Sequence, residues 1–347
     1  METIRLGKTE AMVSRLGFGG IPIQRLTEDE AVAVIRKCIE LGVTYLDTAN
    51  AYTTSEACIG RAIVGLRDRL FIATKSQSRD REGVKEHLDL SLERMGCEWI
   101  DLYQFHQVGT MDQLKIVLDP NGPMGLLEEA REAGLIRHIG ITSHSLDVAK
   151  EAVKTDRFET IMFPFNFIAK EAADELIPLA REHDVGFIAM KPLAGGQLDN
   201  ATLCFKYLLQ FPDILPIPGI EKPHEIEEIV EIMTGTAEMT AEEQAGMERM
   251  RDELGTRFCR RCEYCQPCTE DIPISTIMIS ESFAKRFPPE RFFYGRIAEA
   301  MDKAADCSDC GECEERCPYE LPIREMMAEK IEWYEQLRSE YLKQTGA

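Results

Sequence analysis

The 347-residue chain has no run of the roughly 18 apolar residues that crosses a bilayer, so no membrane span is expected. Its opening, Met1 to Gly7, has no basic segment leading into an apolar stretch, and the expected location is the cytoplasm. Positive charge is in deficit. Against 40 Lys and Arg stand 61 Asp and Glu, a net charge of −21, which repels a phosphate backbone and argues against nucleic acid as a partner. Low-complexity stretches are absent. So is the G-x-G-x-x-G fingerprint that follows the first strand of an open dinucleotide-binding sheet, because Gly17-Phe18-Gly19-Gly20 has the wrong spacing. Core material is not short: 44% of residues are hydrophobic, enough for one large α/β domain plus an appendage.

After a hairpin-like opening, Thr27 and Glu30 make a capping box ahead of an apolar helix face built from Ala31, Val34, Ile35, Cys38 and Ile39. A short apolar strand pattern follows, and the alternation repeats. Strands are predicted at 15–20, 43–47, 70–75, 99–105, 136–141, 159–163, 185–190 and 214–217, with amphipathic stretches between them and a last helix near 223–234. Eight strand-then-helix units in about 235 residues predict an α/β fold, the closed (β/α)8 TIM barrel, with an open doubly wound sheet as the alternative. The barrel is assigned to 1–235, a connecting helix to 236–258, and a small, mainly helical domain to 259–347.

Chemistry in such barrels sits where the strands end. There the sequence offers Asp47, with Tyr52 in the loop that follows, then Lys75, then His106. These are the parts that reduce a carbonyl. A phenol near pKa 10 is a poor acid at neutral pH; a neighbouring ammonium lowers that value, and a carboxylate keeps the ammonium charged and in place. Tyr52 would donate the proton, a nicotinamide the hydride, and His106 would orient the carbonyl.

Asp47-Thr48-Ala49-Asn50-Ala51-Tyr52, Ala73-Thr74-Lys75-Ser76, Ile100-Asp101-Leu102-Tyr103-Gln104-Phe105-His106 and Ile217-Pro218-Gly219 together resemble the aldo-keto reductases over residues 1 to about 235. The resemblance implies a catalytic tetrad of Tyr52, Asp47, Lys75 and His106, acting on a small-molecule carbonyl or alcohol. It also implies cofactor contacts from Gly19, Thr142, Ser143, Met190, Lys191, Gly219, Glu225 and Glu228. Several of these depart from the family pattern. Thr142 and Ser143 stand where a Ser-Asn pair is usual, Met162 replaces a Gln, Met190 replaces a stacking aromatic, and Glu225 replaces an Arg. A carboxylate at 225 would repel a 2′-phosphate, favouring NAD over NADP, and flavin stays open as an alternative. His144 is either a cofactor or substrate contact or a loop polar group; His87, His138, His183 and His224 are expected in solvent. The loop 107–122 is expected to shape the substrate pocket.

Eight of the 12 cysteines form two runs: Cys259, Cys262, Cys265 and Cys268, then Cys307, Cys310, Cys313 and Cys317 followed by Pro318. In a reducing compartment clustered cysteines read as metal or redox sites. The second run has the spacing of bacterial ferredoxins; a structural zinc would use two knuckles set well apart. This part resembles the subgroup of aldo-keto reductases with a C-terminal ferredoxin-like module. That implies two [4Fe–4S] clusters relaying electrons, with Cys268 and Cys317 crossing over, and a redox protein as a further partner. In a second reading the barrel only binds flavin or docks a redox partner, and the clusters are the working centres. Cys38, Cys58, Cys97 and Cys204 are assigned to packing.

Overall fold

The computed structural model describes residues 1–255 and 257–345; Thr256 of the expected connecting helix, and Gly346 and Ala347 of the expected C-terminal domain, lie outside the described residues. The chain divides into two compact units, Met1–Gln244 and Ala245–Ala347.

In the first unit an antiparallel hairpin of β1 (Thr3–Arg5) and β2 (Met12–Ser14) precedes eight strands. These are β3 (Gly17–Gly19), β4 (Tyr45–Asp47), β5 (Phe71–Ser76), β6 (Ile100–Phe105), β7 (Ile136–Thr142), β8 (Thr160–Pro164), β9 (Gly186–Met190) and β10 (Ile214–Ile217), all parallel and paired in chain order. Helices follow the strands: α1 (Glu28–Glu40), α2 (Ser55–Ala62), α3 (Arg81–Met95), then two after β6, α4 (Met111–Val117) and α5 (Pro123–Glu132), then α6 (Leu146–Lys154), α7 (Leu176–Glu182), α8 (Ala201–Leu209) and α9 (Pro223–Met233). The fold is the TIM barrel that the alternation predicted. One difference lies in the stretch 107–122, read as loop, where Thr110 accepts from the Gln113 amide and starts the short α4.

Period-two alternation sets what the strands put inside. Tyr45, Phe71, Ala73, Leu102, Met162, Ile188, Leu215 and Ile217 form one buried cluster, joined by Ile4, Leu6 and Val13 from the hairpin. Lys8 N donates to Asp184 O just before β9, so the hairpin plugs the end where the strands begin. The barrel closes between β3 and the segment after β10: Gly19 bridges to Gly219, and Gly19 N donates to Pro218 O at 2.8 Å. A Cβ on Gly17 would lie 2.8 Å from Ile217 Cγ2, and one on Gly19 2.8 Å from Pro218 O. Only glycine lets the first and last strands come this close.

The second unit is helical. It holds most of α10 (Ala241–Gly255), then α11 (Ile274–Met278), α12 (Ser280–Ala284), α13 (Pro289–Phe293), α14 (Arg296–Lys303), α15 (Glu312–Glu315) and α16 (Ile323–Thr345). Pro288-Pro289 break the helical run between α12 and α13, as rings without an N–H must. Its core gathers Ile272, Ile277, Phe292, Ile297, Met326 and Tyr334, and five cysteines of the two runs pack half-buried against it. Among the described residues no helix is long and apolar enough to cross a membrane.

Candidate active site

Inward positions that hold apolar side chains low in the barrel hold polar ones at its carboxyl end. On β4 Tyr45 is followed two residues later by Asp47; on β5 Ala73 is followed by Lys75; after Leu102 and Gln104 on β6 comes His106. Asp47, Lys75 and His106 are 3%, 1% and 5% exposed. Lys75 Nζ donates to Asp47 Oδ2 and to Thr48 O, both at 2.5 Å, so the ammonium is fixed by a carboxylate and a strand-end carbonyl. Tyr52 lies in a tight turn, its amide donating to Ala49 O and its carbonyl accepting from Ser55 N. That turn sets the Tyr52 ring 5.2 Å from Lys75 Nζ and edge-on to His106, ring centres 5.8 Å apart. The four residues named from the sequence are therefore together. Burial drives the Asp47 carboxyl above its ordinary range; the Lys75 charge, the Lys75 hydrogen bond and the Gln104 amide pull it back only in part.

A sequence model of the aldo/keto reductase family matches residues 15–202. The chain belongs to that family. An uncharacterized oxidoreductase of Bacillus subtilis, YqkF, is 30% identical over 217 residues, 58% of this chain and 68% of that protein. L-galactose dehydrogenase of Arabidopsis thaliana is 30% identical over 220 residues, 57% of this chain and 67% of that protein. Among solved structures, the holo form of aldo-keto reductase AKR11C1 from Bacillus halodurans superimposes with a TM-score of 0.63 at 26% identity, covering 72% of this chain and 96% of its own. An aldo-keto reductase from Klebsiella pneumoniae in complex with NADPH gives a TM-score of 0.62 over 72% of this chain and 95% of its own; at 21% identity this likeness speaks for the fold alone.

The residues assigned to cofactor contacts are placed less uniformly than the tetrad. Gly19 and Gly219 form the barrel seam. Thr142 Oγ1 accepts from Gln107 N at 2.8 Å, whereas the Ser143 hydroxyl is taken up by backbone, donating to Val108 O in the loop after β6 at 2.7 Å and accepting from Ser145 N at 3.1 Å. Met190 ends β9, half-buried, and the Lys191 carbonyl accepts from Asn166 Nδ2 at 3.0 Å. Glu225 Oε2 accepts the amides of Glu221 and Lys222 at 2.7 and 3.0 Å, so one of its oxygens is already committed to the start of α9. Glu228 is exposed one turn on. Glu221, 3.7 Å from Arg25, is half-buried, and burial raises its carboxyl.

Three residues at this end went unread in the sequence. Arg79 Nη2 donates to His106 O at 2.6 Å and Gln107 O at 3.0 Å, tying down the loop that carries His106, and burial lowers its pKa. Asn166 Oδ1 holds the amides of Ile168 and Ala169. Gln104 faces Asp47. Of these only Gln104 had a signal, a polar residue at an inward position of a buried strand. Three histidines expected in solvent are half-buried: His138 stacks on Phe71 with ring centres 6.0 Å apart, His87 Nδ1 lies 2.7 Å from Ser76 Oγ, and His183 Nδ1 lies 3.0 Å from Asp156 Oδ1.

The cysteine runs line two cavities in the second unit. One is lined by Cys259, Cys262, Cys265 and Cys317. The other is lined by Cys307, Cys310, Cys313, Cys268 and again Cys265. Each cavity thus takes its extra thiol from the opposite run. Among the described residues no three His, Cys, Asp or Glu side chains converge as a metal ion requires. Burial, then repulsion from Cys259 and Cys262, pushes the Cys265 thiol up to about 12. Arg324 pairs with Asp309 and Glu314 at 2.9 and 2.7 Å, pinning the second run to α16. Cys38, Cys58 and Cys204 are buried, and burial pushes the Cys38 and Cys204 thiols up to about 12, as inert packing residues behave.

Proposed function

We propose that the protein interconverts an aldehyde or ketone and its alcohol at the barrel mouth, using a nicotinamide dinucleotide, with iron–sulfur clusters in the second unit relaying electrons. The observation that carries the first part is the buried Asp47–Lys75 pair beside Tyr52, with His106 edge-on to the same ring. When bound, the dinucleotide supplies or accepts the hydride at the carbonyl carbon. Tyr52 gives its hydroxyl proton to the carbonyl oxygen, and takes it back in the oxidative direction. Lys75, held in place by Asp47, stabilises the phenolate left on Tyr52. His106 fixes the carbonyl oxygen against the phenol, and the low exposure of these side chains keeps competing water away.

Support for a nucleotide at this mouth comes from membership of the aldo/keto reductase family and from the free hydrogen that Thr142 keeps on a hydroxyl already held by Gln107 N. Glu221, Glu225 and Glu228 place carboxylates around the start of α9, which favours NAD over an extra phosphate. The tetrad needs no flavin.

For the second unit, the fit rests on donor chemistry: eight thiols around two cavities, each lined by three thiols of one run and at least one of the other. A cluster several ångströms across holds its thiols farther apart than a single ion does, so thiols ringing a cavity suit a cube better than zinc. Cys259, Cys262, Cys265 and Cys317 would hold one, and Cys307, Cys310, Cys313 and Cys268 the other. Such clusters supply one-electron transfer. The same cavities favour a second reading, in which the barrel serves mainly to dock a redox partner and the clusters are the working centres.

Two measurements on anaerobically prepared protein separate the readings. Tyr52→Phe should cut carbonyl reduction by about 10²–10⁴-fold with iron and sulfide content unchanged. Retained turnover would remove Tyr52 as the acid and favour the second reading, and iron-free protein with full reductase activity would remove the clusters.

A further inference from the structure

Gln104 is fully buried on β6, between Lys75 on β5 and Gly140 on β7 in the strand register. Its side chain points into the barrel, and Nε2 donates to Asp47 Oδ1 at 3.4 Å. A carboxylate only accepts, so the amide nitrogen is the end that must face Asp47. The other end, Oε1, is buried without a partner among the described residues. An unpaired acceptor in a barrel core costs stability, and an apolar side chain of the same length would avoid that cost. The position is therefore not explained by packing.

The neighbouring strand makes room for this side chain. A Cβ on Gly140 would lie 3.1 Å from Gln104 Cγ and 2.3 Å from Thr160 Oγ1. Asp47 has two oxygens: Oδ2 goes to Lys75 and Oδ1 to Gln104. With both held, the carboxylate cannot rotate away from the ammonium that acts on Tyr52. The titratable groups around it are Lys75 from β5, Tyr45 on its own strand, Tyr52 in the next loop and His106 after β6; β3 beside it contributes only Gly17 and Gly19 on its inner face.

We propose that Gln104 is a fifth, positioning residue of the reaction: its amide holds Asp47 ionised and turned toward Lys75, and so sets the pH range in which Tyr52 works. This rests on the tetrad reading above. A hydrogen bond to the charged form of an acid favours that form, so losing it moves the protonation of Asp47 to higher pH.

The test is Gln104→Met in the full-length protein, with Gln104→Glu as the second variant. In Gln104→Met the acid limb of the kcat profile should move to higher pH and kcat at neutral pH should fall about tenfold, the effect of losing one hydrogen bond to a charged group. Nucleotide Kd should be unchanged. Gln104→Glu sets a second carboxylate against Asp47, and its acid limb should move further in the same direction. An acid limb coincident with the parent's in either folded variant overturns the proposal. In the parent, the side-chain amide signal of Gln104 in selectively ¹⁵N-labelled protein should titrate with the acid limb of kcat, and a flat signal across that limb overturns it without any mutation. Failure of this idea is distinguishable from failure of the tetrad. If Tyr52→Phe is inactive while Gln104→Met keeps the parent's profile, only Gln104 is misassigned; if Tyr52→Phe is active, the tetrad itself is wrong.

Discussion

Replacing Lys75 by Met removes one partner of an ion pair whose two members are 1% and 3% exposed. Asp47 then keeps the Gln104 amide but loses its countercharge. Breaking a buried pair from one side costs about 3–5 kcal/mol, because the remaining charge has neither water nor a partner. The Asp47 carboxyl, already raised by burial, rises further once Lys75 stops pulling it down. The sign of the pH dependence follows. Below the unfolded carboxyl value of about 3.9 Asp47 is protonated in both states, and the loss is smallest. Just above that value parent and variant both hold the proton when folded; the variant's deficit grows only once pH passes the parent's own raised value, where the parent ionises Asp47 and the variant does not, by up to about 1.4 kcal/mol per pH unit. It levels off once pH passes the variant's still higher folded value. Only Trp99 and Trp333 are present, one in each compact unit, so urea unfolding followed by fluorescence in a Trp333→Phe background reports the barrel. Trp99 is a sensitive reporter, with the Arg67 and Arg137 guanidinium groups 4.5 and 4.7 Å from its ring. A loss below about 1 kcal/mol, or one that does not change with pH, would refute the view that Asp47 depends on Lys75 for its charge.

Gly140→Ala should destabilise the barrel by about 1–3 kcal/mol in the same assay, since the added methyl meets Thr160 Oγ1 at 2.3 Å in a packed interior. Glu225→Ala should cost α9 about 0.3–1.5 kcal/mol through its lost cap and raise the NADP-to-NAD ratio of kcat/KM; an unchanged ratio would show that this carboxylate does not read the nucleotide. Cys317→Ala should remove about half the iron, because the thiol lines the cavity of the first run, whereas Cys38→Ala should remove none. Full iron in Cys317→Ala would break the crossed assignment.

The barrel was legible because each strand is a short apolar run between helical patterns, and because alternation carries the polar residues to one end. Asp47, Lys75 and His106 follow from that rule alone. Tyr52 follows from the Asp47-Thr48-Ala49-Asn50-Ala51-Tyr52 motif, since its place depends on a turn rather than a strand. The loop chemistry was not legible. Whether the Ser143 hydroxyl faces a ligand or its own backbone is decided by the Val108 carbonyl, 35 residues away in sequence. Glu225 was open to a cap reading, because it sits three residues into a helix that starts at Lys222-Pro223, but its charge drew a ligand reading instead. α4 was missed because seven residues carry too little periodicity to stand out from a loop. Gln104 was visible as a polar residue among inward positions, yet its partner on β4 could be named only with the register in hand.

The glycine seam bears on how the chain reaches this shape. The strands it joins lie almost two hundred residues apart, and an amide-to-carbonyl bond and a bridge tie Gly19 to the Pro218-Gly219 turn. Contacts of such long sequence separation repay their loop entropy last. During synthesis the first strand must wait, its edge unpaired, until residue 219 has left the ribosome. The Gly19 amide is the natural marker of that wait: in pulse-labelled hydrogen exchange it should gain protection after the amides of β5 and β6, whose neighbours are made within about forty residues of each other.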